Sequence, residues 1–195
     1  LVLPFIGIVE RHAAVVTLAA ERDYRLDRLS GTRVSLTPAD AAADRALDAA
    51  WAAIARDGPE AGTTLTVKGR QIAVPRAAGE AARFSFAELC GKPHGARDFL
   101  AIAGRFSTIF IDHVPVLSDA HRNEVKRFIL LIDTLYDHHA RLVMSAAAPP
   151  AALYAGGRGT EAFEFDRTAS RLMEMQSRDW LEAWAGRQGR QAASA

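Results

Sequence analysis

Residues 108–146 decide the fold, and they read TIFIDHVPVLSDAHRNEVKRFILLIDTLYDHHARLVMSA. Positions 108–111 form a continuous apolar run, which is typical of a strand covered on both faces. Ser118 can cap the helix that follows, and apolar spacings of three and four predict its buried stripe: Val125, Phe128, Ile129, Ile132, Leu135 and Tyr136. Residues 141–145 form a second buried strand. Strand, helix and strand in this order predict a βαβ unit with parallel strands.

Residues 64–74 predict an antiparallel hairpin on the amino-terminal side of this unit. Apolar and polar residues alternate in both halves, and Gly69 with Arg70 fits a two-residue type II′ turn. That turn would place the apolar residues of both strands on one face, in two opposed pairs: Val67 with Ile72, and Leu65 with Val74. Residues 83–86 fit a third strand.

Helical patterns flank the strands. Thr37-Pro38-Ala39-Asp40 predicts a helix start, because Thr37 can cap, Pro38 fits the first helical position, and Asp40 lies near the positive end of the helix. The buried face of that helix would consist of Leu47, Ala50, Trp51 and Ile54. Further helices are predicted at 97–106, from 149, at 167–176 and at 178–185, with a frayed polar tail at 187–195. Near the amino terminus we predict a short helix at 4–9 and a strand at 14–18.

These elements predict an α/β protein. It would consist of a small mixed amino-terminal segment with an antiparallel hairpin, followed by a βαβ-based region and carboxy-terminal helices. We place the boundary after Cys90, which divides the chain into residues 1–90 and 91–195. A length of 195 residues with 49% hydrophobic content is enough to bury a sizeable core.

Composition argues against several classes of protein. The 24 Lys and Arg residues and 23 Asp and Glu residues leave a net charge of +1 and are scattered, which argues against a nucleic-acid surface. Cys90 is the single cysteine, so a reducing, cytoplasmic location is the simpler prediction. No apolar run approaches the roughly 20 residues that span a bilayer. Because the chain begins with Leu1, we interpret it as starting within a longer protein.

Acidic residues and histidines give little support for a metal site. Asp112 ends an apolar strand, but His113 follows it where a magnesium-binding strand would have Glu, so a turn or cap acceptor is favoured. His138 and His139 are adjacent on a helix, where neighbouring side chains point about 100° apart. A metal cluster of these two residues with His113 and His121 is therefore not favoured, and we predict no metal ligands.

Three other residue types have structural interpretations. Ser145 lacks the G-x-S-x-G context of a hydrolase nucleophile. Cys90 fits a small buried hydrophobic residue better than a reactive thiol. Trp180 and Trp184 are four residues apart, so they can dock the last helix or, alternatively, mark a partner surface.

Several ordered strings resemble the ZapE family of AAA+ proteins, which includes the mitochondrial AFG-like ATPases. They cover nearly the whole chain: Leu3-Pro4-Phe5-Ile6, Asp23-Tyr24-Arg25, Gly95-Ala96-Arg97-Asp98-Phe99-Leu100, Arg127-Phe128-Ile129, Leu131-Ile132-Asp133, Leu135-Tyr136-Asp137, and Arg167-Thr168-Ala169-Ser170-Arg171-Leu172-Met173-Glu174-Met175. One such string would be weak evidence. The ordered set is specific.

The resemblance implies an ATP-driven motor that uses ATP and Mg²⁺ and acts as a homo-oligomeric ring. It also implies partners, namely the division protein FtsZ in bacteria and quality-control clients in mitochondria. No G-x-x-x-x-G-K-[ST] string is present in the chain, although this loop holds the phosphates of ATP. The resemblance places the loop in an upstream half of the same protein. We therefore expect this chain alone neither to bind ATP tightly nor to hydrolyse it.

Arg167 and Arg171 are the candidate site residues. They are one helical turn apart, so both can project from one side of a helix. The resemblance implies that a late arginine of this kind can reach the γ-phosphate and stabilise developing charge. The alternative is that both arginines fix the helix by pairing with carboxylates nearby in sequence: Glu164, Asp166 and Glu174. Arg171 is the stronger candidate.

Two functions remain open. In the first, the chain is the regulatory and oligomer-forming part of an ATPase, and it contributes Arg171 and Arg167 to a nucleotide site built mainly upstream. In the second, it is a non-enzymatic module that binds a protein partner through exposed apolar surface. A phosphate-loop string upstream of Leu1 would favour the first function, and an initiator Met directly before Leu1 would favour the second.

Overall fold

The computed structural model describes residues 35–55, 59–157 and 159–192. The helix predicted at 4–9 and the strand predicted at 14–18 lie outside these residues. The elements in chain order are β1 (Ser35–Leu36), α1 (Ala41–Ala55), β2 (Ala61–Val67), β3 (Arg70–Ala78), β4 (Ala81–Ser85), a π-helical turn (Ala87–Gly91), α2 (Ala96–Arg105), β5 (Thr108–Val114), a 3-10 turn (Asp119–His121), α3 (Arg122–Asp137), β6 (Arg141–Ala146), a 3-10 turn (Pro150–Ala152), α4 (Thr160–Glu174) and α5 (Arg178–Ala192).

The strands form one six-stranded sheet in the order β1-β6-β5-β4-β3-β2. Strands β4, β5, β6 and β1 are mutually parallel, whereas β3 pairs antiparallel with both β2 and β4. Helix α3 connects β5 to the adjacent parallel strand β6, which confirms the predicted βαβ unit and the α/β class. The boundary after Cys90 stays a prediction, and this sheet takes strands from both sides of it.

The hairpin of β2 and β3 is confirmed, but the predicted turn at Gly69 and Arg70 is wrong. The turn residues are Lys68 and Gly69, whose φ angles of 47° and 80° are both positive, as in a type I′ turn. Val67 consequently pairs with Arg70 rather than with Ile72. Because side chains alternate with a period of two, this shift leaves the same apolar residues on the same face: Leu65, Val67, Ile72 and Val74.

Asp40, and not Thr37 as predicted, caps α1. Its Oδ1 accepts hydrogen bonds from the N–H groups of Ala42 at 2.9 Å and Ala43 at 3.0 Å. The helix therefore begins at Ala41. The physical reason is that a carboxylate is stabilised at the positive end of a helix. The hydrogen bond from Ala43 and, to a smaller extent, the one from Ala42 lower the pKa of Asp40.

Ser118 does not cap the long helix, so that prediction is also wrong. A 3-10 turn, Asp119–His121, separates Ser118 from α3. The hydroxyl of Ser118 lies 3.1 Å from the Nδ1 of His121. The chain therefore enters the helix through a 3-10 turn, and α3 itself begins at Arg122.

The last two helices are longer than predicted. Helix α4 begins seven residues before position 167, at Thr160, because Phe165 is buried and stacks against Phe128 and Tyr154. Helix α5 continues to Ala192, so the frayed tail predicted from 187 is wrong over residues 187–192. Residues 187–192 read RQGRQA, where Arg, Gln and Ala are good helix formers and Gly189 is not, so the helix continues past the end of its apolar stripe despite one unfavourable residue. None of the helices in the described ranges has the length and apolarity to cross a membrane.

The sheet is covered on both faces. On one face, α1 packs through Leu47, Ala50 and Trp51, and the indole of Trp51 meets the ring of Phe110 edge-on at 5.3 Å. On the other face, α2 and α3 cover the apolar side chains of β5 and β6. The predicted stripe of α3 is buried as far as Leu135, and Tyr136 is half-buried.

Helix α5 docks through the predicted tryptophans. The ring of Trp180 stacks on Tyr136 with 4.7 Å between centroids. The Nε1–H of Trp184 donates to the carbonyl of Ser107 at 3.1 Å, and its ring lies 5.4 Å from the guanidinium of Arg141. Burial lowers the pKa of Arg141 to about 10. Both indoles are buried, which confirms docking of the last helix.

Replacing Trp184 with Phe is expected to reduce the free energy of unfolding by about 1 kcal/mol, because the carbonyl of Ser107 loses its indole donor while most apolar contact remains. Urea denaturation followed by circular dichroism would measure the change. Trp180→Phe is the control, since the stack on Tyr136 survives that substitution. An equal loss in both variants would contradict a specific role for the Trp184 hydrogen bond.

Candidate functional site

The two candidate arginines lie together on the side of α4 that faces α3. The Nη2 of Arg167 is 2.7 Å from Oδ2 of Asp133, and Nη1 of Arg171 donates a hydrogen bond to Oδ1 of the same residue. One carboxylate on α3 therefore contacts both guanidinium groups.

The alternative prediction, that the two arginines pair with carboxylates nearby in sequence, is wrong. Within the described residues, neither arginine pairs with Glu164, Asp166 or Glu174. Asp133 was missed because it lies on a different helix, within the apolar stripe of α3. A polar residue that interrupts such a stripe is the signal by which the sequence could have indicated it.

The guanidinium of Arg171 is enclosed by groups from α3. It lies 4.8 Å from the ring centroid of Tyr136 and 3.8 Å from Oδ1 of Asp137. The hydroxyl of Tyr136 donates to Glu174 of α4 at 2.8 Å, and this hydrogen bond raises the pKa of Tyr136. The ring that faces Arg171 is thus anchored to the same helix that carries the arginine.

Both arginines still reach solvent. The side chain of Arg167 is 58% exposed and that of Arg171 is 21% exposed. A guanidinium has five N–H donors, so one carboxylate shared between two arginines leaves donors for an anion. Phe163, one turn before Arg167, is 79% exposed on the same helix. The pair is therefore accessible to a ligand or to another protein surface.

The carboxyl ends of the parallel strands are the usual place for a ligand in an open α/β sheet. Here Asp112 accepts two hydrogen bonds from Arg83, at 2.8 Å from Nε and 3.0 Å from Nη2, while Asp48 accepts a third at 2.7 Å. Burial lowers the pKa of Arg83, but the hydrogen bonds outweigh it, so the pKa is raised overall. Asp112 is therefore an ion-pair partner, and its predicted turn or cap role is wrong.

The histidines lie at the ends of different elements. His113, with φ of 58° at the end of β5, has its Nε2 2.9 Å from Oδ1 of Asp44. His121 precedes α3, and His138 follows it. No group of His, Cys, Asp and Glu in the described ranges has an arrangement that could hold a metal ion.

Ser145 and Cys90 are buried structural groups. The hydroxyl of Ser145 accepts the backbone N–H of His113 at 2.9 Å, which links β6 to the end of β5. Cys90 is fully buried and free, and burial raises the pKa of its thiol. A small hydrophobic role for Cys90 is confirmed.

A cavity of about 240 Å³ lies between the loops after β5 and β6, lined by Ser118, Asp119, Arg122, Tyr154, Gly157 and Glu161. No pattern in the sequence predicted this cavity. Asp119 accepts hydrogen bonds from the Tyr154 hydroxyl at 2.6 Å and from the N–H of Gly157 at 2.9 Å. The first of these raises the pKa of Tyr154 to about 12. The other polar side chains that line the cavity also have partners: Arg122 donates to Glu161 at 2.6 Å, and the Ser118 hydroxyl lies 3.1 Å from Nδ1 of His121.

The described residues do not fit a complete site for ATP and Mg²⁺. The amino end of α1 is closed by its own carboxylate, Asp40, and Asp112 is engaged by Arg83. The sequence also lacks the phosphate-loop string. Guanidinium groups such as those of Arg167 and Arg171 have the charge and the N–H donors that suit a phosphate.

Comparison with known proteins gives consistent matches. A family profile described as AFG1-like ATPase matches residues 1–183. The chain is 34% identical to the cell division protein ZapE of Escherichia coli K12 over 180 residues, which are 92% of this chain and 48% of that protein. It is 31% identical to the lactation elevated protein 1 homolog B of Danio rerio over 211 residues, covering 91% of this chain and 42% of that protein. No solved structure matches the chain.

The chain spans about half the length of these curated relatives. The profile, by contrast, covers residues 1–183 of the 195 in this chain. The match therefore extends over the sheet, α3 and the arginine pair. The chain belongs to the AFG1-like ATPase family.

Proposed function

We propose that the chain is the regulatory and oligomer-forming part of an AAA+ ATPase, whose phosphate-binding loop lies in another part of the complete protein. Family membership supports this, as does the fact that the chain spans about half the length of its curated relatives. The complete protein would be a cytoplasmic homo-oligomer that couples ATP hydrolysis, with Mg²⁺, to remodelling of other proteins.

The proposed clients belong to cell division, with FtsZ as the bacterial partner, or to protein quality control. One curated relative carries the name cell division protein ZapE, which supports a division client. Co-purification of the complete protein with FtsZ, in the presence and absence of ATP, would test the FtsZ proposal. Absence of FtsZ under both conditions would contradict it.

Arg171, assisted by Arg167, is the proposed contribution of this chain to the nucleotide site. The observation that carries the proposal is the pair of adjacent, solvent-reaching guanidinium groups that share one carboxylate. Bound ATP would supply the phosphate oxygens, and the arginines would donate hydrogen bonds to them and offset their negative charge.

The purified 195-residue chain is expected not to hydrolyse ATP, because the chain has no phosphate-loop string and Asp112 is engaged by Arg83. Phosphate release with Mg²⁺ and excess ATP would measure this. The Arg171→Ala chain serves to identify contaminating activity. Hydrolysis by the chain that the substitution abolishes would contradict our account of where the catalytic groups lie.

A non-enzymatic interaction module is the second candidate function. The specific observation in its favour is Phe163, a large apolar side chain that is 79% exposed on α4. Phe163→Ser would weaken binding to a protein partner if α4 is a docking surface. Loss of partner capture with unchanged ATP turnover of the complete protein would favour this second function for α4.

A further inference from the structure

Asp133 of α3 links the two arginines of α4. Its Oδ2 lies 2.7 Å from Nη2 of Arg167, and its Oδ1 accepts a hydrogen bond from Nη1 of Arg171. The Asp133 side chain is 21% exposed, so most of its surface is covered. Each oxygen thus contacts a different guanidinium, which sets the distance and the relative orientation of the two cationic groups.

The packing of α4 on α3 keeps Asp133 in register with the arginines. On α4, Phe165, Thr168 and Leu172 are buried, and the ring of Phe165 stacks on Phe128 of α3 at 6.2 Å. The Tyr136 ring closes the site on another side, 4.8 Å from the guanidinium of Arg171. The carboxylate is therefore carried by a rigid helix rather than by a mobile loop.

The contacts of this cluster leave N–H donors on both arginines. Two guanidinium groups and the carboxylate that they share sum to a single positive charge, and the carboxylate of Asp137, whose Oδ1 is 3.8 Å from Nη2 of Arg171, offsets it. A guanidinium has five N–H donors, and Asp133 accepts one hydrogen bond from each arginine, so donors remain for a phosphate oxygen. The Arg167 side chain is 58% exposed, so a phosphate oxygen can approach it without displacing Asp133.

We propose that Asp133 is a positioning residue, which orients Arg171 and Arg167 so that their remaining N–H donors face a nucleotide phosphate. This inference rests on the proposed function, since it concerns the same arginines. Asp133 itself would not touch the nucleotide. It would act through the guanidinium groups, in the way that a carboxylate fixes the orientation of a catalytic side chain.

A positioning role and a merely stabilising role predict different results. Partly exposed ion pairs contribute little to stability, so Asp133→Asn should lower the melting temperature of the chain by less than about 4 °C. Displacing a reacting group by about 1 Å costs on the order of 100-fold in rate. A positioning residue would therefore affect turnover far more than stability.

The experiment compares Asp133→Asn with Asp166→Asn in the complete protein. Asp166 is exposed, directly precedes Arg167, and contacts neither guanidinium in the described part of the chain. We expect Asp133→Asn to lower kcat for ATP about 10- to 100-fold with KM changed less than about threefold, and Asp133→Glu to restore part of kcat. Asp166→Asn should change neither constant.

A measurement without nucleotide completes the test. In the ¹⁵N-arginine spectrum of the 195-residue chain, Asp133→Asn should shift the Nε–H signals of Arg167 and Arg171, and Asp166→Asn should leave them in place. Unshifted signals in Asp133→Asn would overturn the inference. So would wild-type kcat in Asp133→Asn when Arg171→Ala is inactive, a result that leaves the proposed function standing. Full turnover in Arg171→Ala would instead remove the proposed function.

Discussion

Replacing Arg171 with Ala in the complete protein is expected to lower kcat for ATP at least about 10³-fold, because an arginine that offsets charge on a transferring phosphoryl group contributes about 10³- to 10⁵-fold. The fold should survive, since Arg171 is partly exposed at 21% and the buried contacts of α4 with α3, made by Phe165 and Leu172, do not involve it. Steady-state phosphate release and a thermal melt of the same preparation would measure both effects. Arg167, at 58% exposed, should give a smaller loss on the same substitution.

Arg178→Ala is the matched control for this experiment. Arg178 also lies on a carboxy-terminal helix and also pairs with a carboxylate, Glu182, at 2.7 Å, but its side chain is 88% exposed and lies on α5. Its removal should leave turnover unchanged. Undiminished turnover in Arg171→Ala would exclude Arg171 from the nucleotide site, and equal losses in the two variants would point to a general effect of charge.

The central part of the fold was predictable because buried helices and strands have apolar residues at regular spacings in the sequence. The stripe of α3 and the two apolar strands beside it satisfy the helical and extended periods over many residues. One or two residues that do not fit such a pattern leave the predicted helix or strand unchanged. The βαβ unit followed from those periods together with the handedness of crossover connections.

Local geometry was less predictable. The hairpin turn depends on Lys68 adopting a φ of 47°, and a lysine does not signal a positive φ in a sequence. The caps of α1 and α3 were also misplaced, since Thr37 and Ser118 are favourable cap residues whose hydroxyls are not used for capping. In each case several residues satisfy the same local rule, and tertiary packing selects one of them.

The partners of charged residues were the least predictable part of the candidate site. Arg171 meets Asp133 across 38 positions of sequence, and Arg83 meets Asp112 across 29. Sequence spacing identifies neighbours within one helix, whereas these contacts depend on how α4 packs against α3 and on the pairing of β4 with β5. The arginine pair could be proposed from the sequence. Asp133 could be noticed there only as a polar residue beside an apolar stripe, and its pairing with the two arginines could not be predicted.

Asp112→Asn is expected to reduce the free energy of unfolding by about 3 kcal/mol, because breaking a buried ion pair leaves an uncompensated charge. Arg83 is 8% exposed and Asp112 is 18% exposed, so water cannot fully replace the lost carboxylate. Urea denaturation of the chain, with the slope compared between variants, would measure the loss. The remaining contact with Asp48 places the expected value at the lower end of the range for buried pairs.

Asp48→Asn is the matched control, since it removes a carboxylate from the same guanidinium at a similar distance, 2.7 Å against 2.8 Å. The Asp48 side chain is 63% exposed, so its loss should cost only about 0–1 kcal/mol. Replacing both buried partners, as Arg83→Met with Asp112→Leu, should recover much of the stability, because apolar groups of similar volume need no compensating charge. Equal losses in Asp112→Asn and Asp48→Asn would show that burial does not determine the strength of these contacts. A large difference would mean that the less exposed contact, in which Asp112 accepts two hydrogen bonds from Arg83, contributes most of this stability. That contact lies at the carboxyl edge of β4 and β5, where a nucleotide-binding sheet would keep its acidic residue free.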